Sequence, residues 1–210
     1  MDPSQTALKV YDALLEASLD TEPTLIFTNP FELLIGVILS AQTTDIQVNK
    51  VTTELFQKYR SPVELAGAEI DEVERIVRSA GFFHNKARNI IKSSAAIAAV
   101  HAGNVPSTME ELTSLPGVGR KSANAVLGVC FDKPAIIVDT HFGRVVRRLE
   151  LTEKSDPYKI EIELKALIPE RIQFKFSMLI NRHGRQWCFA HKPKCESCPV
   201  RQYCPYERVP

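Results

Sequence analysis

Apolar residues recur every three or four positions along most of the chain, which is the spacing of one face of an α-helix. Ten stretches follow this pattern: 8–19, 30–38, 44–59, 71–79, 85–98, 108–114, 120–130, 140–149, 157–168 and 171–183. Pro30 and Pro157 suit a first helical turn, Asn85 is expected to cap its helix, and Gly81 is expected to end the preceding one. Only residues 135–138 (AIIV) resemble a strand. The pattern therefore predicts an all-α protein.

Length and composition agree with a globular chain. Its 210 residues are 44% hydrophobic and 24% charged, which excludes disordered and collagen-like classes. The longest apolar run, Leu33 to Leu39, spans seven residues, far fewer than the roughly 20 that cross a bilayer. The first residues, MDPSQTALKV, lack the basic and apolar regions of a secretory signal. We therefore expect a cytoplasmic protein without a membrane partner. We also expect it to act as a monomer.

The net charge of +1 conceals an uneven distribution. Residues 1–100 contain 9 basic and 13 acidic residues, whereas residues 171–210 contain 8 basic and 2 acidic ones. A basic segment of this kind indicates either a polyanion partner or simply a solvated basic face. Charge alone leaves both interpretations open.

The segment Leu115-Pro116-Gly117-Val118-Gly119 is predicted to join two short helices. Pro116 stops the first helix, and the glycines permit backbone angles and close approaches that other residues do not. The free amides and positive dipole end of the second helix would then form an anion site. A DNA phosphate fits such a site without any contact to a base. The alternative is an ordinary glycine-containing turn.

Two ionisable residues follow this hairpin and have both a plain and a chemical interpretation. Lys121 lies in the first turn of the second helix, where the helix dipole would lower its pKa and favour an amine nucleophile. The plain alternative is a second phosphate-binding cation beside Arg120. Asp139 follows the apolar run 135–138, and its default role is to cap the helix 140–149. A capped carboxylate is also rigid enough to stabilise a cationic sugar carbon.

Four of the five cysteines lie near the C-terminus with the spacing C-x6-C-x2-C-x5-C: Cys188, Cys195, Cys198 and Cys204. A cytosolic protein seldom carries disulfides. Zinc sites commonly use two separate Cys-x2-Cys knuckles, whereas a single compact loop with four thiolates suits an iron–sulfur cluster. Spacing favours iron–sulfur and leaves zinc open. Cys130, in the apolar run AVLGVC, is expected to be a core residue.

Taken together, LPGVGRKSANAVLG, VDTHFGRVVRRL, LSAQTTD at 39–45 and the cysteine spacing resemble the endonuclease III family of DNA glycosylases. The resemblance covers the chain from about residue 30 to residue 204. It implies that Lys121 is the nucleophile and Asp139 its partner, and that Gln42 fills the space left by a flipped nucleotide. Because the related adenine glycosylases lack this lysine, the resemblance implies a bifunctional enzyme that removes damaged pyrimidines and also nicks the strand.

The resemblance also implies a fold and a cofactor. One lobe of six helices, at about residues 23–134, carries the helix–hairpin–helix; the other combines residues 1–22 with 135–210. DNA would bind between the lobes, with Lys121 and Asp139 facing each other. The cysteines would hold one [4Fe–4S] cluster, and Lys192 and Lys194 in its loop would meet phosphates, as would Gly117, Val118, Gly119 and Arg120 of the hairpin.

The sequence departs from the family pattern after Gly81. The family commonly has an aliphatic and then a polar aromatic residue there, whereas this chain has Phe82, Phe83 and His84. Phe82 is expected either to intercalate into DNA or to pack in the core. His84 is expected either to contact a phosphate or the opposite base, or to be a solvated loop residue. The competing function is a DNA-binding protein that uses the hairpin and the cluster without catalysis.

Overall fold

The computed structural model describes residues 2–19, 21 and 23–206. Within these ranges the chain forms α-helices and short 3-10 turns, with no β-strand, so the prediction of an all-α protein is confirmed. The α-helices are α1 (Pro3–Glu16), α2 (Pro30–Leu39), α3 (Asp45–Lys58), α4 (Pro62–Ala66), α5 (Ile70–Val77), α6 (Phe83–Val100), α7 (Met109–Ser114), α8 (Arg120–Phe131), α9 (Thr140–Arg148), α10 (Pro157–Leu167) and α11 (Glu170–Gln186). The 3-10 turns are Arg78–Ala80, Cys195–Ser197 and Arg201–Tyr203.

Short polar side chains begin many of these helices. Asn29, Thr44, Ser61, Thr108, Asp139 and Asp156 each accept a hydrogen bond from a first-turn amide. Such caps satisfy amides that have no partner within the helix. Local sequence therefore determines where these helices start.

Three local expectations need correction. The one-turn helix α4 was not predicted, because five residues are too few to show an apolar period. The predicted cap at Asn85 is wrong: α6 begins two residues earlier, and Phe82 occupies the cap position in a left-handed conformation without a side-chain cap. The apolar run 135–138 is not a strand; there the amide of Ile137 donates to Ser177 Oγ at 3.0 Å instead of to a neighbouring strand.

The chain divides into two compact units. Residues 23–132, all described, form the hairpin unit, which contains six helices of six residues or more together with α4. Helix α6 packs against α2, α4 and α5. The largest fully buried side chains of this unit are Leu34, Ile35, Leu39, Leu55, Leu65, Ile90, Ile97 and Leu112.

The terminal unit consists of the described residues of 1–22 and 133–210. Its core includes Phe142 and Phe176, which meet edge to face with their ring centroids 6.3 Å apart. Gly184 brings α11 close to α9, because a Cβ at this position would lie only 3.1 Å from the side chains of His141 and Val145. Among the described residues, none of the helices combines the length and apolar character needed to cross a membrane.

Candidate catalytic and nucleic-acid-binding site

The turn between α7 and α8 requires glycine at position 117. Gly117 has φ +81°, and a Cβ there would lie 2.9 Å from Asn89 Nδ2. On the same side, Ser93 Oγ donates a hydrogen bond to Pro116 O at 2.7 Å. Both supporting residues belong to α6. Side chains that lie more than 20 positions earlier in the sequence therefore support the hairpin.

The amides of the hairpin do not all face solvent. Val118 is buried, and its amide donates to Leu115 O at 3.1 Å, so this N–H is used within the turn. Gly119 is the N-cap of α8 and has no side chain to cap it. The first helical bond of α8 runs from the amide of Ala123 to Gly119 O at 2.9 Å. A helix N-terminus of this kind is suited to bind an anion.

Lys121 is the second residue of α8, and its side chain is exposed. Arg120, its neighbour, is half-buried. An exposed amine at a helix N-terminus can approach a sugar–phosphate backbone that the helix end binds. The position is therefore compatible with both of the roles considered for this lysine.

Asp139, in the terminal unit, is fixed through both carboxylate oxygens. Oδ1 accepts a hydrogen bond from the amide of Phe142 at 2.7 Å, which confirms that this residue caps α9. Oδ2 accepts from Asn181 Nδ2 at 2.5 Å, and Arg185 Nη2 lies 3.9 Å from the same oxygen. The side chain is only 14% exposed. These contacts hold the carboxylate in one position.

Gln42 and Phe82 lie in two neighbouring segments of the hairpin unit. Their φ angles are +55° and +47°, a left-handed conformation that is unusual for residues other than glycine. The side chain of Gln42 is exposed, and Phe82 is 65% exposed. Phe82 is therefore not a core residue, which leaves intercalation as the interpretation that the structure permits. The adjacent Phe83 is the ring that packs against the core.

His84 is the second residue of α6, not a loop residue as one alternative expected. Its ring lies against Phe83 in a tilted arrangement with centroids 4.0 Å apart, and Nδ1 lies 2.7 Å from Glu74 Oε2. The side chain is 66% exposed. The carboxylate beside it competes with any phosphate for this ring.

The four C-terminal cysteines line one cavity of the terminal unit, which has about 410 Å³ of space free of protein atoms, part of it open to solvent. Cys188, Cys195, Cys198 and Cys204 are each partly buried and free of disulfides. Arg148 donates from Nη1 to Cys188 Sγ at 3.2 Å and to Phe189 O at 2.7 Å. These contacts fix the position of Cys188 and of the chain that follows it.

Without a cofactor, two of these thiols would resist ionisation. Burial, together with negative charge on the other three cysteines, raises the pKa of Cys198 to about 11, and burial also raises the pKa of Cys204. Four thiolates in this cavity therefore need metal cations to neutralise them. Within the described ranges, no three His, Cys, Asp or Glu side chains form a ligand group for a metal ion. A cubane distributes four thiolates over four irons, so its ligands need not converge on one point. The donor set and the cavity fit such a cluster.

The cysteine loop depends heavily on arginine contacts. Arg144 donates from Nε to Cys188 O at 2.9 Å and from Nη2 to Gly184 O at 2.9 Å. Arg148 also donates to Ala190 O at 3.0 Å and lies over the ring of Tyr206 at 4.2 Å. The two lysines predicted to meet phosphates, Lys192 and Lys194, are both exposed on this loop.

Sequence reasoning missed several residues that shape these sites: Lys86, Asn89, Ser93, Arg144, Arg148, Asn181 and Arg185. Each acts on a partner that is distant in sequence, such as Asn181 on Asp139. Only Arg144 and Arg148 gave a signal, in the run RVVRRL that follows Gly143. Among the predicted residues, the structure brings Gln42 close to the Phe82 turn and gathers the four cysteines.

Comparisons with known proteins agree with this architecture. Residues 35–170 match the family model of the HhH-GPD superfamily of base excision DNA repair proteins. Endonuclease III of Synechocystis sp. is 46% identical over 180 residues, covering 85% of this chain and 82% of that protein. Endonuclease III of Escherichia coli is 36% identical over 200 residues, covering 95% of both chains.

Solved structures give the same result. An endonuclease III bound non-covalently to DNA superposes with a TM-score of 0.90 at 41% identity, covering 98% of this chain and 96% of that one. A trapped covalent endonuclease III–DNA intermediate gives the same TM-score and identity, covering 97% of that chain. Because the family model spans more than half of the chain and these relatives match nearly all of it, the protein belongs to the endonuclease III family within the HhH-GPD superfamily of base excision DNA repair proteins.

Proposed function

We propose that this base excision repair glycosylase and AP lyase removes oxidised pyrimidines from duplex DNA and nicks the resulting abasic sites through a Schiff base on Lys121. The observation that carries the proposal is the exposed Lys121 in the first turn of α8, directly after an anion-binding hairpin. Its relatives provide the reaction class. The non-catalytic alternative finds no support among them.

The proposed reaction begins with the damaged nucleotide turned out of the stack. The Lys121 amine attacks the sugar C1′ and forms a C–N bond, while the glycosidic bond breaks and the base leaves with its electron pair and a proton. The C1′–O4′ bond of the sugar ring then breaks as the nitrogen lone pair forms the C=N bond, and O4′ takes up a proton. The iminium formed in this way acidifies a C2′ proton. Loss of that proton expels the 3′ phosphate by β-elimination, and water then releases the sugar fragment and restores the amine.

Asp139 is proposed to stabilise positive charge on the sugar and to assist proton transfer. Its fixed carboxylate supports this role, because electrostatic stabilisation is strongest when the charged group does not need to reorganise. The cap and the catalytic role are compatible: Oδ1 binds the α9 amide while Oδ2 remains held by Asn181.

The proposed DNA contacts come from separate segments. Gly117, Gly119 and Arg120 would hold a phosphate through the α8 N-terminus. Val118 would contribute only through the shape of the turn, since its amide already donates to Leu115 O. Gln42 and Phe82 would enter the space left by the flipped nucleotide. His84 would contact a phosphate or the opposite base only by exchanging its bond to Glu74.

The four cysteines are proposed to hold one [4Fe–4S] cluster, which would fix the shape of the loop that presents Lys192 and Lys194 to phosphates. The cluster supplies structure and takes no part in the bond-breaking steps. Protein purified without oxidation should show broad absorbance at about 400 nm and about four irons per chain. Stoichiometric zinc would overturn this assignment.

The function is tested with a duplex that contains thymine glycol and, separately, one that contains an abasic site. The protein should release the oxidised base and nick both duplexes on the 3′ side without added metal. Lys121→Ala should do neither, whereas Lys92→Ala, which removes an exposed lysine of α6, should match the wild type. A wild-type protein that binds these duplexes but neither releases the base nor nicks would refute the proposal.

The proposed location is the cytoplasm, because an enzyme with this proposed function must reach chromosomal DNA.

A further inference from the structure

Lys86 is a buried lysine for which neither the proposed chemistry nor the hairpin has a use. It lies in the first turn of α6, and the whole residue is only 5% exposed. Its Nζ donates to Thr43 Oγ1 at 2.6 Å and to Ala80 O at 2.8 Å. The Thr43 hydroxyl also donates to Ala80 O. The three groups form a closed triangle of hydrogen bonds.

This arrangement has an energetic cost. A buried ammonium normally pairs with a carboxylate, but both acceptors of Lys86 are neutral. Burial lowers the pKa of Lys86, which shows that its surroundings disfavour the charge. A methionine would fill the same space without this cost. We therefore expect the hydrogen bonds of Lys86 to have a role that compensates for the free-energy cost of burying its charge.

The two acceptors of Lys86 lie beside Gln42 and Phe82, two of the four residues of the hairpin unit, other than glycine, that have a left-handed backbone. Thr43 directly follows Gln42, and Ala80 precedes Phe82 by two positions. Left-handed residues other than glycine persist only where surrounding contacts hold them. We name residues 40–44 and 80–82 the paired loops. The ammonium and the Thr43 hydroxyl connect these two loops to each other and to α6.

We infer that Lys86 is a positioning residue that locks the paired loops together, so that Gln42 and Phe82 enter the DNA as one preorganised edge. The inference rests on the proposed function, because it assumes that these two side chains contact DNA. Binding then needs no separate ordering of two strained loops, and preorganisation of this kind raises affinity by lowering that ordering cost.

The same face of α6 also supports the hairpin. Lys86, Asn89 and Ser93 are spaced i, i+3 and i+7, so they lie along one side of the helix. Asn89 abuts Gly117, and Ser93 binds Pro116 O. At about 1.5 Å per residue, Lys86 and Ser93 are separated by roughly 10 Å along the axis. Helix α6 thus sets the spacing between the paired loops and the phosphate-binding hairpin.

A double-mutant cycle tests whether Lys86 acts through Gln42. The variants are Lys86→Met, Gln42→Ala and the double variant, and the readout is the equilibrium affinity for a duplex with a tetrahydrofuran abasic analogue. Lys86→Met should weaken this binding about tenfold. Added to Gln42→Ala, it should cost at most about threefold more, because one of the two residues to be positioned is already gone and only Phe82 remains. Affinity for an undamaged duplex should stay within about twofold.

Two further variants exclude a purely structural effect. Gln47→Ala removes a hydrogen bond just outside the paired loops, from Gln47 Nε2 to Ser79 Oγ at 2.6 Å. This variant should leave the affinity for the abasic duplex within about twofold of the wild type. Thr43→Val breaks the triangle while Lys86 remains, and it should reproduce the effect of Lys86→Met. It also provides the test if Lys86→Met fails to fold.

Full additivity of Lys86→Met or Thr43→Val with Gln42→Ala would overturn the inference, as would equal weakening of damaged and undamaged duplex binding. Failure of the proposed function is distinguished from this by the wild type. If the wild type nicks abasic DNA but the cycle is additive, only the inference about Lys86 fails. If the wild type does not nick, the proposed function fails first.

Discussion

The two proposed catalytic side chains are held in opposite ways. Lys121 extends from the first turn of α8 into solvent. Asp139 is 14% exposed, and each of its carboxylate oxygens accepts a hydrogen bond, one from the amide of Phe142 and one from Asn181. A nucleophile must reach a carbon, form a bond and be released again. A charge that stabilises a cation acts best without moving.

This difference predicts how far stability and activity can be separated. The side chain of Lys121 contributes to chemistry and not to the core. Its substitution should therefore change activity without changing stability. At Asp139 one oxygen caps α9 and the other faces Asn181, so a substitution affects both properties.

Asp139→Asn should reduce turnover by about 10² to 10⁴-fold, the usual contribution of a positioned acid or base. Asparagine is also a good N-cap, so α9 should persist and DNA binding should be retained. Single-turnover base release, together with affinity for an abasic-analogue duplex, measures the two effects. Wild-type turnover, or loss of helical content without a specific loss of turnover, would leave Asp139 with the capping role alone.

Asn181→Ala should slow single-turnover base release about tenfold, because a hydrogen bond to a charged acceptor is worth about 1.5–3 kcal/mol. The carboxylate would keep its cap and lose the donor to Oδ2, while Arg185 Nη2 lies farther away at 3.9 Å. Affinity for DNA should not change. The matched control is Asn104→Ala, which removes an exposed amide of the hairpin unit; equal slowing in both variants would argue against a role through Asp139.

The smallest effects concern stability. Asp139→Ala should lower the free energy of unfolding by about 1 kcal/mol through loss of the cap, and Asp139→Asn by only a few tenths. Lys121→Ala should change it by less than about 0.5 kcal/mol, as for other exposed positions. Denaturant unfolding followed by circular dichroism measures all three. A large loss of stability in Lys121→Ala would show that the two side chains are not held differently.

The contrast also explains what the sequence could predict. The turn residues around Gly117 and the cap at Asp139 are local patterns, because the residues that form them are neighbours in the chain. Most helices were predicted for the same reason, except α4, which is too short to show a period. The α6 side chains that support the hairpin, Asn89 and Ser93, are distant in sequence. The sequence alone does not decide whether Phe82 packs in the core. In the structure its backbone is left-handed and its side chain is exposed.

The missed residues all act over long separations. Asn181 lies 42 positions from Asp139, and Lys86 lies 43 positions from Thr43. In the sequence, Lys86 looks like a solvated lysine on an amphipathic helix, and only tertiary packing shows that it is buried. Interactions of this kind depend on how helices pack, which a single sequence does not encode as a pattern.

The most direct test of the account is covalent trapping by borohydride on DNA that contains an abasic site. The wild-type protein should form a stable adduct, and peptide mapping by mass spectrometry should locate the reduced sugar on Lys121. Lys121→Ala should form no adduct, while Lys92→Ala should form as much as the wild type. An adduct on another amine, or equal trapping by Lys121→Ala, would contradict the assignment of Lys121 as the nucleophile.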